Sequence, residues 1–329
     1  MEQVRAIVLR AAGINTDLET QYALQLAGAE ADRVHINRAI EDKGLLDQYH
    51  ILIFPGGFSY GDDVAAGKIM ANQVVHHLAE PVQKFIDDGK LVLGICNGFQ
   101  VLVKAGILPG ASEKGRSGLY SSTKSSGSIS LKNGEDRTLD ARPGFEGEKS
   151  KREILPPQSR PDLPFSEPPG DNGWEPFRQE DVTITYNDSN KYEDRWVYLV
   201  PQTDRCVFIE PQRQICVPIA HGEGKIVTRN DEALQRLKNE GYVAYKYVDE
   251  NGEEGPYPVN PNGSVESIAG LTDRTGRVLG LMPHPERYVR RTQHPHWSRL
   301  GKDLDPDGIK IFRNAVKYVR DNLLQSCPA

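Results

Sequence analysis

Cysteine is scarce: four residues in 329, at Cys96, Cys206, Cys216 and Cys327, with no C-x-x-C pair and no framework spacing. That excludes a small disulfide-stapled scaffold and points to a reduced protein. Basic charge is not in excess either. The 40 Lys and Arg residues face 46 Asp and Glu, a net charge of -6, so no positive field invites nucleic acid. No apolar run approaches the length of a membrane span. The opening M-E-Q-V-R-A-I-V-L has an acidic residue and too short an apolar run for a signal peptide. The phosphate-gripping pattern G-x-x-x-x-G-K-[ST] is missing. The expectation is a cytoplasmic protein with no membrane partner and no nucleic-acid partner.

What is present is organised around Leu91–Leu102, L-V-L-G-I-C-N-G-F-Q-V-L. The run Leu91 to Ile95 reads as a buried strand, and the residues after Cys96 can open a helix. Gly94 and Gly98 bracket the cysteine as G-x-C-x-G, the thiol counterpart of the serine nucleophile elbow. A nucleophile on a sharp strand-to-helix turn sits in strained backbone, and only small neighbours leave room for it. The helix that follows aims its positive end at the sulfur, which favours thiolate over thiol. Taken alone, the motif more often marks a buried structural cysteine, the usual fate of a lone Cys in a strand.

In chain order, Val4–Leu9 reads as a strand, about Leu18–Leu26 as a helix closed by Gly28, and Ala31–Ile36 as a second strand. A short helix near Ala39–Leu46 leads to a third strand, His50–Phe54. This alternation predicts an α/β fold: a mostly parallel central sheet with helices on both faces, its sites beyond the carboxyl ends of the strands. The third strand runs into P-G-G-F-S-Y-G-D-D from Pro55, where adjacent glycines can turn backbone N–H groups into an open site. An ordinary tight turn reads the same way. Helical segments follow through Ile86.

From about residue 112 to 180 the character changes to a Ser/Gly-rich stretch and then to one with many prolines and charges. Such composition predicts one long irregular insertion rather than a second core, with Tyr120, Phe145, Phe165, Trp174 and Phe177 available as anchors. Order is expected to resume with strands at Asp181–Ile184, Tyr192–Val200, Val207–Glu210, Ile215–Ala220, Tyr242–Val248 and Val278–Met282. An amphipathic helix, Ile309–Leu324, comes last.

The last strand delivers Pro283-His284-Pro285-Glu286. The prolines hold the segment extended, which puts His284 and Glu286 on one side. A carboxylate beside an imidazole fixes its tautomer and stabilises the imidazolium formed when it takes a proton from Cys96. Cys96, His284 and Glu286 are therefore the candidate triad. His221, in H-G-E-G, either lines the same mouth or is structural. His294 and His296 lack an evident third metal ligand and read as surface or interface residues, so no metal site is expected. The run Asp303–Gly308 imitates the opening of an EF-hand loop, but Asn314 stands where that loop needs Glu, and helix capping by Asp307 explains it better.

The motifs L-G-I-C-N-G-F-Q, P-G-G-F-S-Y-G-D, P-I-A-H-G-E-G, N-G-S-V-E-S-I-A-G and G-L-M-P-H-P-E-R together resemble the class I (triad) glutamine amidotransferases. More narrowly, they are similar to the glutaminase subunits of phosphoribosylformylglycinamidine synthases. The resemblance covers most of 1–110 and 182–325. It implies one flavodoxin-like glutamine amidotransferase domain over 1–329, interrupted by the 112–180 insertion, which exceeds what is expected of free-standing subunits. It implies attack of Cys96 on glutamine and backbone donors near Gly57 and Asn97 for the oxyanion. It also implies glutamine contacts by Phe58, Gln100, His221 and Gly222. It further implies no cofactor in this chain. ATP and Mg are expected on a separate synthetase subunit, with a small accessory subunit completing the complex in purine biosynthesis. Two rivals remain: a cysteine peptidase or glutamyl hydrolase of the same fold, and a non-catalytic scaffold subunit. Against the first stands Asn97, where related peptidases often place His; against the second stands the intact triad.

Overall fold

The computed structural model describes residues 3–110, 177, 180–301 and 303–324; the insertion expected at about 112–180 therefore lies, but for Phe177 and residue 180, outside the described residues. The first half alternates strand and helix: β1 (Arg5–Arg10), α1 (Asp17–Ala27), β2 (Glu30–His35), α2 (Ile36–Glu41), β3 (Ile51–Phe54), α3 (Lys68–Gln73), α4 (Ala79–Asp87), β4 (Leu91–Ile95) and α5 (Asn97–Lys104). The second half is richer in strands: β5 (Val182–Tyr186), β6 (Glu193–Pro201), β7 (Ile215–His221), β8 (Glu223–Thr228), α6 (Asp231–Asn239), β9 (Val243–Val248), β10 (Ile268–Thr272), β11 (Val278–Leu281) and α7 (Asp307–Asn322).

Nine strands form one sheet in the order β2-β1-β3-β4-β11-β10-β9-β6-β7. The first five are parallel to their neighbours, and the pairs from β11 to β7 are antiparallel. Every residue of β3, I-L-I-F, and of β4, L-V-L-G-I, is buried, as a central parallel strand covered on both faces requires. The chain steps from β1 outward to β2, then back past β1 to β3 and on to β4. Right-handed crossovers in opposite directions place helices on both faces. The ends of β3, β4 and β11, three neighbours in the sheet, carry Pro55-Gly56-Gly57, Cys96 and Pro283-His284.

The antiparallel wing folds back over those ends. Its edge strand β7 offers the Pro218 carbonyl to the His284 N–H at 2.8 Å and the Ala220 carbonyl to Cys96 Sγ at 3.7 Å. β7 turns at Gly222 into β8, which pairs with β5 in a separate two-stranded ribbon. Phe177, one of the anchors expected from the sequence, is buried and packs edge-on against Tyr242 at 5.2 Å, with Arg236 over its ring.

Three expectations are corrected. Val207–Glu210 is not a strand but a turn. Phe208 and Ile209 are buried there as anchors, with Ile209 N–H bonded to the Cys206 carbonyl, and three apolar residues in a row carry too little periodicity to tell the two apart. The helix expected at Ala39–Leu46 is split into α2 and a 3-10 turn, Leu45–Gln48. Asp307 does not cap α7: Pro306 is the N-cap residue, and the Asp307 carboxylate instead accepts from the Cys216 N–H at 3.0 Å and from Lys310 at 2.8 Å, tying the helix to β7. Among the described residues no helix is long and apolar enough to cross a membrane.

Candidate active site

Cys96 occupies the tight turn between β4 and α5 with φ 50° and ψ -106°, a left-handed conformation that costs a non-glycine residue about 1–3 kcal/mol. The Cys96 N–H bonds to the Leu281 carbonyl at 2.8 Å and its carbonyl accepts from Gln100 at 3.1 Å, so both sides of the strained residue are fixed. Gly98 is required by close approach: a Cβ there would lie 1.8 Å from the Phe54 carbonyl oxygen. Cys96 is 5% exposed. Burial pushes the other two described thiols, Cys206 and Cys216, up to about 12.

His284 and Glu286, each 1% exposed, are joined by a 2.6 Å contact between Nδ1 and Oε1. Burial disfavours the imidazolium, but the Glu286 carboxylate and the Cys96 sulfur outweigh it and raise His284 to about 10. With Nδ1 held by Glu286, Nε2 is the free end. It is buried and has no hydrogen-bond partner, while the Cys96 thiol rests against Ala220. The imidazole packs on bare backbone: a Cβ on Gly56 would come within 2.7 Å of His284 Cε1.

The turn after β3 is anchored on both sides of Gly57. Gly56 N–H donates to Thr16 Oγ1 at 2.9 Å and Phe58 N–H to the Gly13 carbonyl at 2.9 Å. Gly57 has φ 141°, and its own N–H has no hydrogen-bond partner among the described residues. The Asn97 N–H, first in α5, has no carbonyl four residues back to bond. The turn and the elbow, at the neighbouring ends of β3 and β4, thus each keep one backbone donor uncommitted.

The four residues expected to contact glutamine separate into distinct roles. Phe58 is on the rim, 42% exposed, its ring 6.3 Å from that of Tyr192. Gln100 is buried, and its amide ties the Glu223 turn to α5: Oε1 accepts from Asn97 at 3.0 Å and Nε2 donates to the Glu223 carbonyl at 2.5 Å. One N–H of Nε2 and one lone pair of Oε1 remain beyond these two bonds. Gly222 forms the β7–β8 turn, its carbonyl accepting from the Asn187 N–H at 3.0 Å. His221 is 2% exposed, and burial, then neighbouring His284, push it down to about 3. Asn187, which sequence reasoning missed, explains its orientation. The Asn187 Nδ2 donates to the carbonyls of Lys191 and His221, so its Oδ1 faces His221 Nδ1 at 3.1 Å and accepts that proton. Only the turn residues around Asn187 could have marked it, and they mark any loop.

His294 stacks half-buried against Trp196 and Tyr288, at 4.7 and 5.5 Å, and His296 lies 5.9 Å away. No group of three or more His, Cys, Asp or Glu among the described residues is placed to hold a metal ion.

A model of the CobB/CobQ-like glutamine amidotransferase domain matches residues 3–125 and 169–319. The chain belongs to this family. The part of this amidotransferase left unmatched, 126–168, falls inside the expected insertion. Phosphoribosylformylglycinamidine synthase subunit PurQ of Dehalococcoides mccartyi is 37% identical to it over 322 residues, 97% of this chain and 99% of that one. The protein of the same name from Treponema denticola is 36% identical over 321 residues, 96% of this chain and 98% of that one. Among solved structures, a chain of PurLQS from Thermotoga maritima is similar with a TM-score of 0.59 at 26% identity, covering 97% of this amidotransferase and all of that chain.

Proposed function

We propose that this amidotransferase is the glutaminase subunit of a phosphoribosylformylglycinamidine synthase and that Cys96, His284 and Glu286 carry its chemistry. Cys96 Sγ attacks the carboxamide carbon of glutamine with its proton already on His284 Nε2, since Glu286 and the sulfur hold that ring protonated. The oxygen of the tetrahedral intermediate receives hydrogen bonds from the backbone N–H groups of Gly57 and Asn97; one such donor is worth roughly 2.7–4 kcal/mol in other hydrolases. His284 passes its proton to the departing nitrogen, ammonia leaves, and a γ-glutamyl thioester remains. A water that gives its proton to His284 then attacks the thioester, and collapse releases glutamate and restores the thiol. Glu286 keeps Nε2 as the working nitrogen and stabilises the imidazolium.

The ammonia is consumed by a separate ATP-dependent synthetase subunit that converts formylglycinamide ribonucleotide to the amidine. ATP and Mg are held there, and a small accessory subunit completes the complex in the cytoplasm. The names of the relatives and the absence of a phosphate-gripping loop from the sequence support this division of labour.

The observation that carries the reading is the buried His284–Glu286 contact with an unpartnered Nε2, set beside a strained thiol on the neighbouring strand end. The test is ammonia release from glutamine with and without the synthetase partner, ATP and formylglycinamide ribonucleotide, with Cys96→Ala as blank. Turnover that rises with the partner and vanishes in the blank is expected. Folded wild-type protein silent under both conditions would overturn it.

A further inference from the structure

Asn97 contributes more than its backbone to the site. Its side chain, 1% exposed, accepts from the Ser59 N–H through Oδ1 at 3.3 Å and donates through Nδ2 to Asp62 Oδ1 at 3.1 Å and to Gln100 Oε1 at 3.0 Å. One acceptor facing an N–H and one donor facing two oxygens allow a single orientation of the amide. The residue after the nucleophile is thereby bonded to the loop that follows Gly57.

That loop is strained. Tyr60 and Asp62 both adopt left-handed backbone, with φ 56° and 52°. It is held at Tyr60 by a 2.7 Å bond to the Ala12 carbonyl and at Asp62, whose Oδ1 accepts from both the Gly67 N–H at 3.1 Å and Asn97 Nδ2. Asp62 is half-buried, and burial raises its carboxyl pKa against the pull of those two bonds. A carboxylate in that position costs stability, and what it secures is the distance between the loop and the elbow.

We propose that Asp62 is a positioning residue for glutamine hydrolysis: through the Asn97 side chain it clamps the loop after Gly57 to the elbow and sets the spacing of the two oxyanion donors, Gly57 N–H and Asn97 N–H. This rests on the oxyanion assignment made above. It goes beyond it in naming a side chain that touches neither substrate nor thiol and in giving Asn97 two functions, one through its backbone and one through its amide.

The test compares Asp62→Ala and Asp62→Asn in the full complex, reading kcat and KM for glutamine together with the rate of Cys96 alkylation by iodoacetamide, which displaces iodide and develops no oxyanion. Asp62→Ala is expected to lower kcat by about 10–100-fold, less than the outright loss of one oxyanion donor, with KM and alkylation near wild type. Asp62→Asn, which still offers Oδ1 to both donors, is expected to keep most of the activity. Should Asp62→Ala not fold, Asp62→Gly, which meets no strain at φ 52°, removes the same carboxylate and is expected to show the same split. Wild-type kcat in Asp62→Ala, or in Asp62→Gly where that variant stands in, would overturn the proposal. So would alkylation falling in step with kcat, or an Asp62→Asn variant as impaired as the alanine. Hydrolysis surviving in Cys96→Ala would instead overturn the parent reading.

Discussion

His284 Nδ1 and Glu286 Oε1 lie 2.6 Å apart, two residues apart in sequence and both closed to water. The carboxylate decides which imidazole nitrogen faces Cys96 and raises the charge affinity of the ring. Glu286→Gln keeps the size and removes the charge, and the expected loss in glutamine turnover is about 10²–10⁴-fold with the fold intact. Steady-state kinetics on the complex measures it; a loss under threefold would contradict the orienting role.

Cys96→Ser is expected to fold with an unchanged circular dichroism spectrum and to release no measurable ammonia from glutamine. Appreciable turnover in that variant would remove Cys96 from the mechanism. With burial holding Cys206 and Cys216 at about 12, neither should be alkylated by iodoacetamide at neutral pH, which peptide mapping after labelling reads directly.

The two buried histidines tilt stability in opposite directions. His284 is raised from 6.5 to about 10, so the folded chain holds its proton more tightly than the unfolded chain. Its contribution is complete below pH 6.5 and fades as the pH rises through about 10. His221 is lowered from 6.5 to about 3, so its contribution is present above pH 6.5 and fades as the pH falls toward 3. Urea midpoints measured across pH should drop on both sides, with Glu286→Gln flattening the alkaline side and His221→Gln the acid side. Parallel curves for wild type and both variants would show that these groups are not the cause.

Gly98→Ala places a methyl group where the Phe54 carbonyl oxygen already is, 1.8 Å from the ideal Cβ. Because both partners are backbone, the strand and the elbow must separate, and the expected cost is about 3 kcal/mol or more, at the upper end for an overpacked core. Denaturant titration measures it; a cost within 0.5 kcal/mol, roughly that of an ordinary surface change, would mean that the close approach has slack.

Phe177→Ala removes a buried ring from Tyr242 and Arg236 and should cost about 3–5 kcal/mol, as truncated core aromatics do. The same titration tests it, and an unchanged midpoint would show that the anchor carries no stability.

The legible parts of this molecule are the local ones. Leu91–Gly98 could be read as strand, sharp turn and helix because elbow geometry demands small residues within a few positions, and the His284–Glu286 contact because proline fixes the backbone between them. What escaped the sequence is made by partners distant in the chain. The Ala220 carbonyl under the thiol, the Asn187 amide behind His221 and the bond from the Gln100 amide to Glu223 all depend on distant strands folding back, which no short pattern announces. Gln100 is instructive: the family resemblance implied a glutamine contact, and only the fold shows that its amide also reaches the Glu223 carbonyl, 123 residues on. In Val207–Glu210 the same blindness took the opposite form, a buried turn mistaken for a strand because burial alone does not specify extension.

The pairing of β4 with β11 also has a consequence in time. Cys96 and His284 follow adjacent strands, yet more than half of the chain separates them in synthesis. At about 5–20 residues per second, the thiol is made roughly 10–40 s before the imidazole. During that interval the unfinished protein carries the Cys96 thiol but neither the His284 imidazole nor the Leu281 carbonyl that helps hold the elbow. On the mechanism proposed above, the nascent chain leaves glutamine intact until the last strand of the sheet is in place.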